Sequence, residues 1–376
     1  MTNLEIDNAY VGSDQVDRIY LGADIVWERT QPTPPEPVYS AMPLTFEIIS
    51  AGTINWRPVS TTSSPIKTIQ YRVNNNPWST ITSTYDSPSI TVNAGDKVQF
   101  VGNNNTYASG TAGNHFVSQT AVFNAYGNVM SLIDASNYMN NTTMTSANTY
   151  AFATLFLDCT GLRSAENLIL PATTLAEGCY SNMFSGCTEL TSVPELGATT
   201  LAKSCYNAMF GNCTSLTGVP ADYLPVKGLK ENCYFGMFRN CTSLTAAPEL
   251  PATSMAKYCY TSMFEDCDSL ATAPSLPGKY LSDSCYYCMF KGCGSLLTAP
   301  EIINPTASAS YVYSEMFYGS GVNYIVCKVK SPTSSRFSNW VRFVPSTGTF
   351  VKHPDATWTT GDSGIPTGWT VQDAVI

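Results

Sequence analysis

The stretch Cys259-Tyr-Thr-Ser-Met-Phe-Glu-Asp-Cys-Asp-Ser-Leu270 decides the fold, because near-copies of it occur five times along the chain. Each copy has the pattern Cys-Tyr-x-x-Met-Phe-x-x-Cys-x-x-Leu, and a proline follows four residues later. A period of 26 to 28 residues predicts a solenoid, in which each turn buries its apolar face only against its neighbours. The five copies begin at Cys179, Cys205, Cys233, Cys259 and Cys285.

The spacing inside one copy suggests its local structure. Cys259, Met263 and Cys267 are four residues apart, which predicts one face of a short helix or an irregular helical turn over 257–266. A short strand near 269–273 is expected to follow, because the next residue is Pro274 and proline occupies strand ends and edges. The positions that vary between copies, such as 265–266, are expected to face water.

The repeat resembles the BspA-type leucine-rich repeat, whose pattern runs roughly Ile-x-x-x-Ala-Phe-x-x-Cys-x-x-Leu. In the second copy Phe210, Cys213 and Leu216 match this pattern directly, while Cys205 replaces the Ile and Met209 replaces the Ala. The resemblance covers about half of the chain. It implies binding to a protein or a host surface, without enzymatic activity.

Degraded copies flank the five regular ones. Ala151-Phe152 replaces Cys-Tyr upstream, and Ser320 replaces the second Cys downstream, so seven turns are expected from about residue 129 to about residue 326. The segments around Trp340, 347–350 and 364–369 resemble the end segment of such proteins from gut Bacteroidetes and their phages.

The predicted fold class is α+β: a leucine-rich-repeat solenoid, preceded by an all-β immunoglobulin-like sandwich and a short N-terminal β anchor. The sandwich is inferred from about seven short strands rich in β-branched and aromatic residues, separated by turn residues. The predicted segments are an anchor at 1–29, a proline-rich linker at 30–39, the sandwich at 40–125, the repeats at 126–326 and a β-rich cap at 327–376.

The first 29 residues are predicted to attach the chain to another protein. A segment this short rarely folds alone without disulfides or metals, and it contains neither Cys nor His. It also resembles a short element at the N-termini of phage virion proteins. The apolar residues expected to contact the partner are Val16, Ile19, Tyr20, Leu21, Ile25 and Trp27.

Composition excludes some classes of function. The formal net charge is −9, and such an acidic chain is unsuited to binding nucleic acid phosphates. No apolar run approaches the roughly 20 residues needed to span a bilayer, and Met1–Tyr10 has no secretory signal pattern. Of the 13 cysteines, all except Cys288 and Cys327 lie in the repeat register. They are expected to form reduced core ladders, with disulfides as the alternative.

Neither a catalytic site nor a metal or cofactor site is predicted. Only His115 and His353 exist, and they are expected in surface loops of different domains. Glu195, Glu249 and Glu301 follow the repeat proline, but they are interpreted as solvated acids rather than a glycosidase pair. No cysteine pair meets a second pair or a histidine at the spacing of a zinc site.

The predicted binding residues are a column of tyrosines that recurs at the second position of the repeat. Their rings are expected to be at least partly exposed, where they would stack on sugars or anchor protein contacts. The alternative is that the rings stack on one another as a stabilising ladder. The column consists of Tyr180, Tyr206, Tyr234, Tyr260, Tyr286 and Tyr313.

These observations lead to one leading hypothesis and one alternative. The leading one is a non-enzymatic structural protein on the surface of a phage virion, a head or tail fibre component that binds other virion proteins through its N-terminus. Its repeats would bind a host-surface protein or glycan, and the chain could form a homo-oligomer. The alternative is an extracellular BspA-like adhesin on the bacterial cell surface. A glycan-active enzyme is disfavoured.

Overall fold

The structure is a computed structural model that describes residues 38–376 except 61, 111, 119, 225–226, 304–308 and 376. Before residue 38 it describes only the backbone of four short strands. The chain divides into two compact units, Met1–Val38 and Tyr39–Ile376.

The N-terminal unit contains two antiparallel strand pairs. β1 (Tyr10–Val11) pairs with β2 (Asp14–Gln15), and β3 (Arg18–Leu21) pairs with β4 (Asp24–Glu28).

The second unit begins with two antiparallel sheets formed by nine strands. Their order is β13-β5-β10-β7-β8 in one sheet and β11-β12-β6-β9 in the other. The strands are β5 (Leu44–Ser50), β6 (Gly52–Pro58), β7 (Thr68–Val73), β8 (Ser79–Thr82), β9 (Ile90–Val92), β10 (Lys97–Val101), β11 (Ala108–Ser109), β12 (Ala112–Val117) and β13 (Val122–Asn128).

An aromatic core joins the two sheets to the repeats. Phe46 of β5 packs against Phe116 of β12 at a ring-centroid distance of 4.9 Å, and it also lies 5.8 Å from Phe156 in the first degraded copy. Strand β13 then pairs in parallel with β14 (Leu162–Ser164) and β15 (Leu168–Ile169), which makes the first sheet a mixed one. The predicted boundary after residue 125 therefore falls inside β13.

The repeats contain tight turns where a helix was predicted. In the first copy Gly178, Asn182 and Gly186 have φ of 60°, 54° and 78°, so every fourth residue is left-handed. The amide of Met183 donates to the carbonyl of Tyr180, three residues back, at 3.2 Å. A left-handed residue every four positions ends an α-helix before it can propagate. Of the two structures predicted over 257–266, the helix is therefore wrong, and the segment consists of turns with hydrogen bonds to the residue three positions back.

Alternate amides of each copy bond to the next copy along the chain. Tyr180 N–H donates to Cys205 O at 3.0 Å, and Phe184 N–H donates to Met209 O at 2.9 Å. Because the turn is four residues long, Cys179, Met183 and Cys187 share one side and are all fully buried. The strand predicted near 269–273 is reduced to a single bridge between Thr272 and Ala246. We call the hydrogen-bonded series of copies from 150 to 343 the repeat stack.

The α+β fold class is wrong. The described residues contain no α-helix, and their only helical segments are four short 3-10 helices at Tyr39–Ala41, Val129–Leu132, Tyr138–Asn140 and Ser146–Asn148. The strands form several separate sheets, one of them mixed, rather than the strand-and-helix layers of a leucine-rich-repeat solenoid. The chain is mostly β-strand and turn, because the residues that were expected to form helix donate half of their amides across the stack.

The repeat stack ends in a small parallel sheet. β16 (Tyr324–Cys327), β17 (Thr349–Lys352) and β18 (Thr370–Asp373) pair in that order. Trp340 is fully buried beside this sheet, and its ring lies 6.0 Å from the ring of Phe317 in the last copy. The aromatic residues of the terminal segment thus close the apolar interior of the stack.

Candidate functional site

The tyrosine column that the sequence predicted to be partly exposed is buried. Its six rings have relative exposures of 0 to 3%, and neighbouring rings stack with centroids 5.7 to 6.1 Å apart. The expectation of exposure is wrong, and the contacts agree with the alternative of an internal ladder. The reason is the four-residue turn, which places Tyr180 and Phe184 on the same buried side. The buried residues are Tyr180, Tyr206, Tyr234, Tyr260, Tyr286 and Tyr313.

Two hydroxyl groups of this column are buried without a partner. Among the described residues, the Oη atoms of Tyr180 and Tyr260 are enclosed and accept or donate no hydrogen bond. Burial raises the pKa of both phenols well above its usual value. The rings therefore serve the interior of the stack and do not contact a ligand at its surface.

The candidate anchor residues lie mostly in the second N-terminal strand pair. Ile19 is opposite Trp27, Tyr20 is opposite Ile25, and Leu21 belongs to β3. Val16 lies outside the described residues. The backbone pairing is that of a hairpin, and the prediction that these residues bind a partner stays a prediction.

The cysteines are buried free thiols with a regular hydrogen-bonding role. All 13 are free and buried. Cys213 Sγ donates to Phe184 O in the preceding copy at 3.2 Å, and four other copies repeat this bond at 3.0 to 3.1 Å. A small side chain with a weak S–H donor fits this position. The thiols therefore link neighbouring copies by hydrogen bonds.

A surface groove lies between the first and second regular copies. Its volume is about 680 Å³, and we call it the inter-copy groove. Three carboxylates and two hydroxyls contribute to its wall, while the buried side chains of Leu196 and Tyr223 form part of its floor. The groove is lined by Glu166, Thr191, Ser192, Val193, Glu195, Leu196, Gly218, Pro220, Asp222 and Tyr223.

A two-residue insertion lies next to this groove. The spacing from Cys205 to Cys233 is 28 residues, whereas the other copies are 26 apart. The segments after the conserved leucine are joined at several junctions between copies, as by the bridges Ser164–Ser192 and Ala246–Thr272. Among the described residues, no backbone hydrogen bond joins 189–196 to 216–224. The groove therefore lies at a junction where the two copies share no backbone hydrogen bond along this edge.

Tyr223 belongs to the 28-residue copy that begins at Cys205, and its ring packs in the interior of the stack beneath the groove. Its ring lies 6.2 Å from the ring of Phe210 and 6.4 Å from that of Phe238. Its hydroxyl donates to Pro194 O at 2.8 Å, which ties the longer loop to the preceding copy. The groove is thus backed by a packed aromatic ring rather than by an open interior.

A ladder of alternating charges lies along another side of the stack. Glu265 binds Arg239 at 3.3 Å and Lys291 at 3.3 Å, and Lys291 also lies 3.7 Å from Glu315. The side chain of Glu265 is only 8% exposed. The expectation that the variable position after the core phenylalanine faces water is therefore wrong for Glu265, because its neighbours in adjacent copies cover it.

Cys288 and the two histidines lie in largely buried surroundings. Burial and the nearby Glu315 carboxylate raise the pKa of Cys288 to about 12. Burial lowers the pKa of His115, which lies in β12, while His353 is 8% exposed. His115 therefore lies in a strand rather than a loop, and His353 lies in a loop but is buried, so the expectation of two surface-loop histidines is wrong. Within the described ranges, no group of three or more His, Cys, Asp or Glu residues could hold a metal ion.

Comparisons with known proteins do not identify a relative. No family model, curated protein or solved structure matches the chain. The part of the chain that the structure describes also contains no helix with the length and hydrophobicity needed to cross a membrane.

Proposed function

We propose that this chain is a non-enzymatic binding protein displayed on a phage virion, and that the repeat stack presents its ligand-binding surface to a host-surface protein or glycan. The observation that carries the proposal is the inter-copy groove. It is a concave site of about 680 Å³ in a stack whose other copies follow one another at a constant spacing. Ligand cavities typically have volumes of about 300–1,000 Å³.

The chemistry of the groove supports binding. Glu166, Glu195 and Asp222 supply carboxylate acceptors, and Thr191 and Ser192 supply hydroxyl groups. These groups can accept hydrogen bonds from sugar hydroxyls, amides or ammonium groups. Because they are mounted on a hydrogen-bonded stack backed by Tyr223, little conformational entropy is lost when a ligand is bound.

The separate N-terminal unit supports the virion part of the proposal. Residues Met1–Val38 form a compact unit of their own, with two short strand pairs. Four prolines between 32 and 37 follow these strands. A proline-rich segment is a semi-rigid spacer, which suits a binding region that is held away from its point of attachment.

Blocking the groove tests the binding proposal. The full chain is labelled, and its attachment to whole bacterial cells and to their isolated surface polysaccharide is measured. Gly218→Tyr fills the groove without strain, because an added Cβ at Gly218 meets nothing within 4 Å. We expect attachment to fall at least tenfold. Ser275→Tyr is the control, since Ser275 corresponds to Glu195 in the fourth copy and lies outside the groove. Equal attachment by both variants would contradict the proposal.

Deleting residues 1–29 tests the display proposal. The truncated chain is expected to keep the folding transition of the second unit but to be lost from purified particles, which mass spectrometry of the particle proteins would detect. A truncated chain that is incorporated normally would refute attachment through the N-terminal unit. A full-length chain found in cell envelopes and absent from particles would favour the bacterial adhesin instead.

A further inference from the structure

The eighth residue of each regular copy, such as Gly186, has a left-handed backbone, and so does the equivalent residue of the flanking copies. In every turn before the last this position is occupied by Gly, Asn or Asp, the residue types that adopt this conformation most readily. The final turn has Phe343 there, with φ of 63°. The hydrogen bond from Gly319 N–H to Arg342 O, at 2.8 Å, repeats the bond from Gly186 N–H to Gly211 O and establishes the equivalence. The other residues are Asp158, Gly186, Asn212, Asn240, Asp266, Gly292 and Gly319.

Phe343 departs from the residue types that this position favours. A bulky side chain at positive φ is strained, and strained residues cluster at functional sites. The residue is also 66% exposed, so burial of the ring offsets little of this strain. Asparagine at the same position would avoid the strain but would lose the contacts that the ring makes within the chain. An interaction outside the chain would account for an aromatic ring that is left mostly exposed.

The surroundings of Phe343 form a compact polar and aromatic surface. The Tyr318 ring meets the Phe343 ring edge-on at a centroid distance of 5.1 Å. The Arg342 guanidinium lies 4.7 Å from the centroid of Phe343, and its Nε is 3.5 Å from Oδ2 of Asp362. We call these four residues, Tyr318, Arg342, Phe343 and Asp362, the terminal aromatic patch.

We propose that the terminal aromatic patch binds a neutral pyranose sugar of a glycan. The apolar C–H face of the sugar stacks on the exposed Phe343 ring. Its hydroxyls donate to the Asp362 carboxylate and accept from the Arg342 guanidinium. A neutral sugar is favoured over an acidic one because Arg342 already has a carboxylate partner, so the patch has no unpaired cation for an anion. This inference rests on the proposed function, since it names a ligand class for the repeat surface.

The substitution Phe343→Asn separates a binding role from a structural one. The full chain is applied to an array of neutral oligosaccharides built from glucose, galactose, mannose and N-acetylglucosamine, with sialylated and uronic acid glycans alongside. We expect Phe343→Asn to weaken neutral-glycan binding at least tenfold while Tm changes by less than about 3 °C, because the relief of strain offsets the lost contacts with Tyr318 and Arg342. Phe343→Trp should retain binding. Tyr280→Asn, at a ring that is 64% exposed elsewhere, should leave it unchanged.

Three outcomes would overturn the inference. These are a preference for acidic glycans, unchanged binding by Phe343→Asn, or a Tm more than about 5 °C lower for that variant, which would show that the ring is structural. The same experiments distinguish a failure of this inference from a failure of the proposed function. If Gly218→Tyr abolishes attachment to cells but the array shows no neutral-glycan binding, the binding protein proposal stands and the patch does not. If neither cells nor glycans are bound by the unaltered chain, both fail.

Discussion

Ala208 and Gly236 occupy the same position in consecutive copies, and both have a positive φ, 49° and 57°. The conformation is imposed by the stack, because the amide of each residue donates to a carbonyl of the next copy. An L-residue with a Cβ is strained there, whereas glycine is not.

The first prediction is that exchanging these residue types has opposite effects. Ala208→Gly should stabilise the protein by about 1 kcal/mol, and Gly236→Ala should destabilise it by about 1 kcal/mol. The added Cβ at Gly236 would lie 3.8 Å from the nearest atom, so no steric clash contributes. Urea unfolding followed by circular dichroism would measure both. Changes of the same sign would mean that the backbone strain is not the controlling factor.

The second prediction concerns Gly292, which lies against Asp266 of the preceding copy. A Cβ there would overlap Oδ1 of Asp266, in addition to the strain of φ 73°. Gly292→Ala should therefore cost about 2 kcal/mol, against about 1 kcal/mol for Gly319→Ala, which has open space and φ 66°. Adding Asp266→Ala to the first variant should remove most of the difference. Purely additive effects in this double-mutant cycle would contradict the clash.

The third prediction compares two buried tyrosine hydroxyls. Tyr260 Oη is enclosed without a hydrogen-bond partner, so Tyr260→Phe should leave stability unchanged or raise it by up to about 1 kcal/mol. Tyr223→Phe removes the bond to Pro194 O and should cost about 1 kcal/mol. Thermal unfolding of the two variants provides the measurement. A clear loss of stability in Tyr260→Phe would show that its hydroxyl has a partner.

The fourth prediction is alkaline destabilisation. Burial raises the pKa of Cys159 and Cys233 from 9.0 to about 12. Between these values the unfolded chain releases thiol protons that the folded chain retains, so stability falls as pH rises above about 9. Each such group contributes up to about 1.4 kcal/mol per pH unit. Tm should be nearly constant from pH 7 to 8 and drop steeply by pH 10.

Thiol titration checks the state of these cysteines. At pH 8 the folded chain should show almost no reactive thiol, and the urea-unfolded chain should show 13. The measurement is repeated with and without reductant, which also controls for oxidation during the pH series. A large loss of Tm on adding reductant would reveal disulfides in place of the thiol hydrogen bonds.

The repeated pattern was enough to predict which residues are buried in the stack, but not their secondary structure. Cys259, Met263 and Cys267 are fully buried, as their recurrence indicated. A four-residue interval is shared by a helix face and by a turn that closes every four residues. The neglected signal was the high frequency of Gly, Asn, Asp and Ser at these fourth positions, as in Gly178, Asn182 and Gly186, because Gly, Asn and Asp favour a left-handed backbone.

The candidate sites were less predictable than the core. Tyrosine is amphipathic, so the residue type alone did not show whether the column is exposed or buried. The four-residue turn places its rings on the buried side of the stack. The two-residue difference in spacing beside the inter-copy groove is visible in the sequence. The groove itself depends on which of the described segments share backbone hydrogen bonds between copies, and 189–196 and 216–224 do not. Nothing in the sequence distinguishes Phe343 from its neighbours in the terminal segment, because its distinguishing feature is a positive φ.

By itself the sequence determined the period, the order of the copies, and the aromatic and sulfur composition of the interior, since these follow from recurrence and hydrophobicity. Only the tertiary structure decided whether the turns are helical, which rings are exposed, and where the surface opens. These properties depend on amides that bond to the next copy rather than to their own. The residue pattern within one copy does not show that half of its backbone amides donate to carbonyls of the next copy.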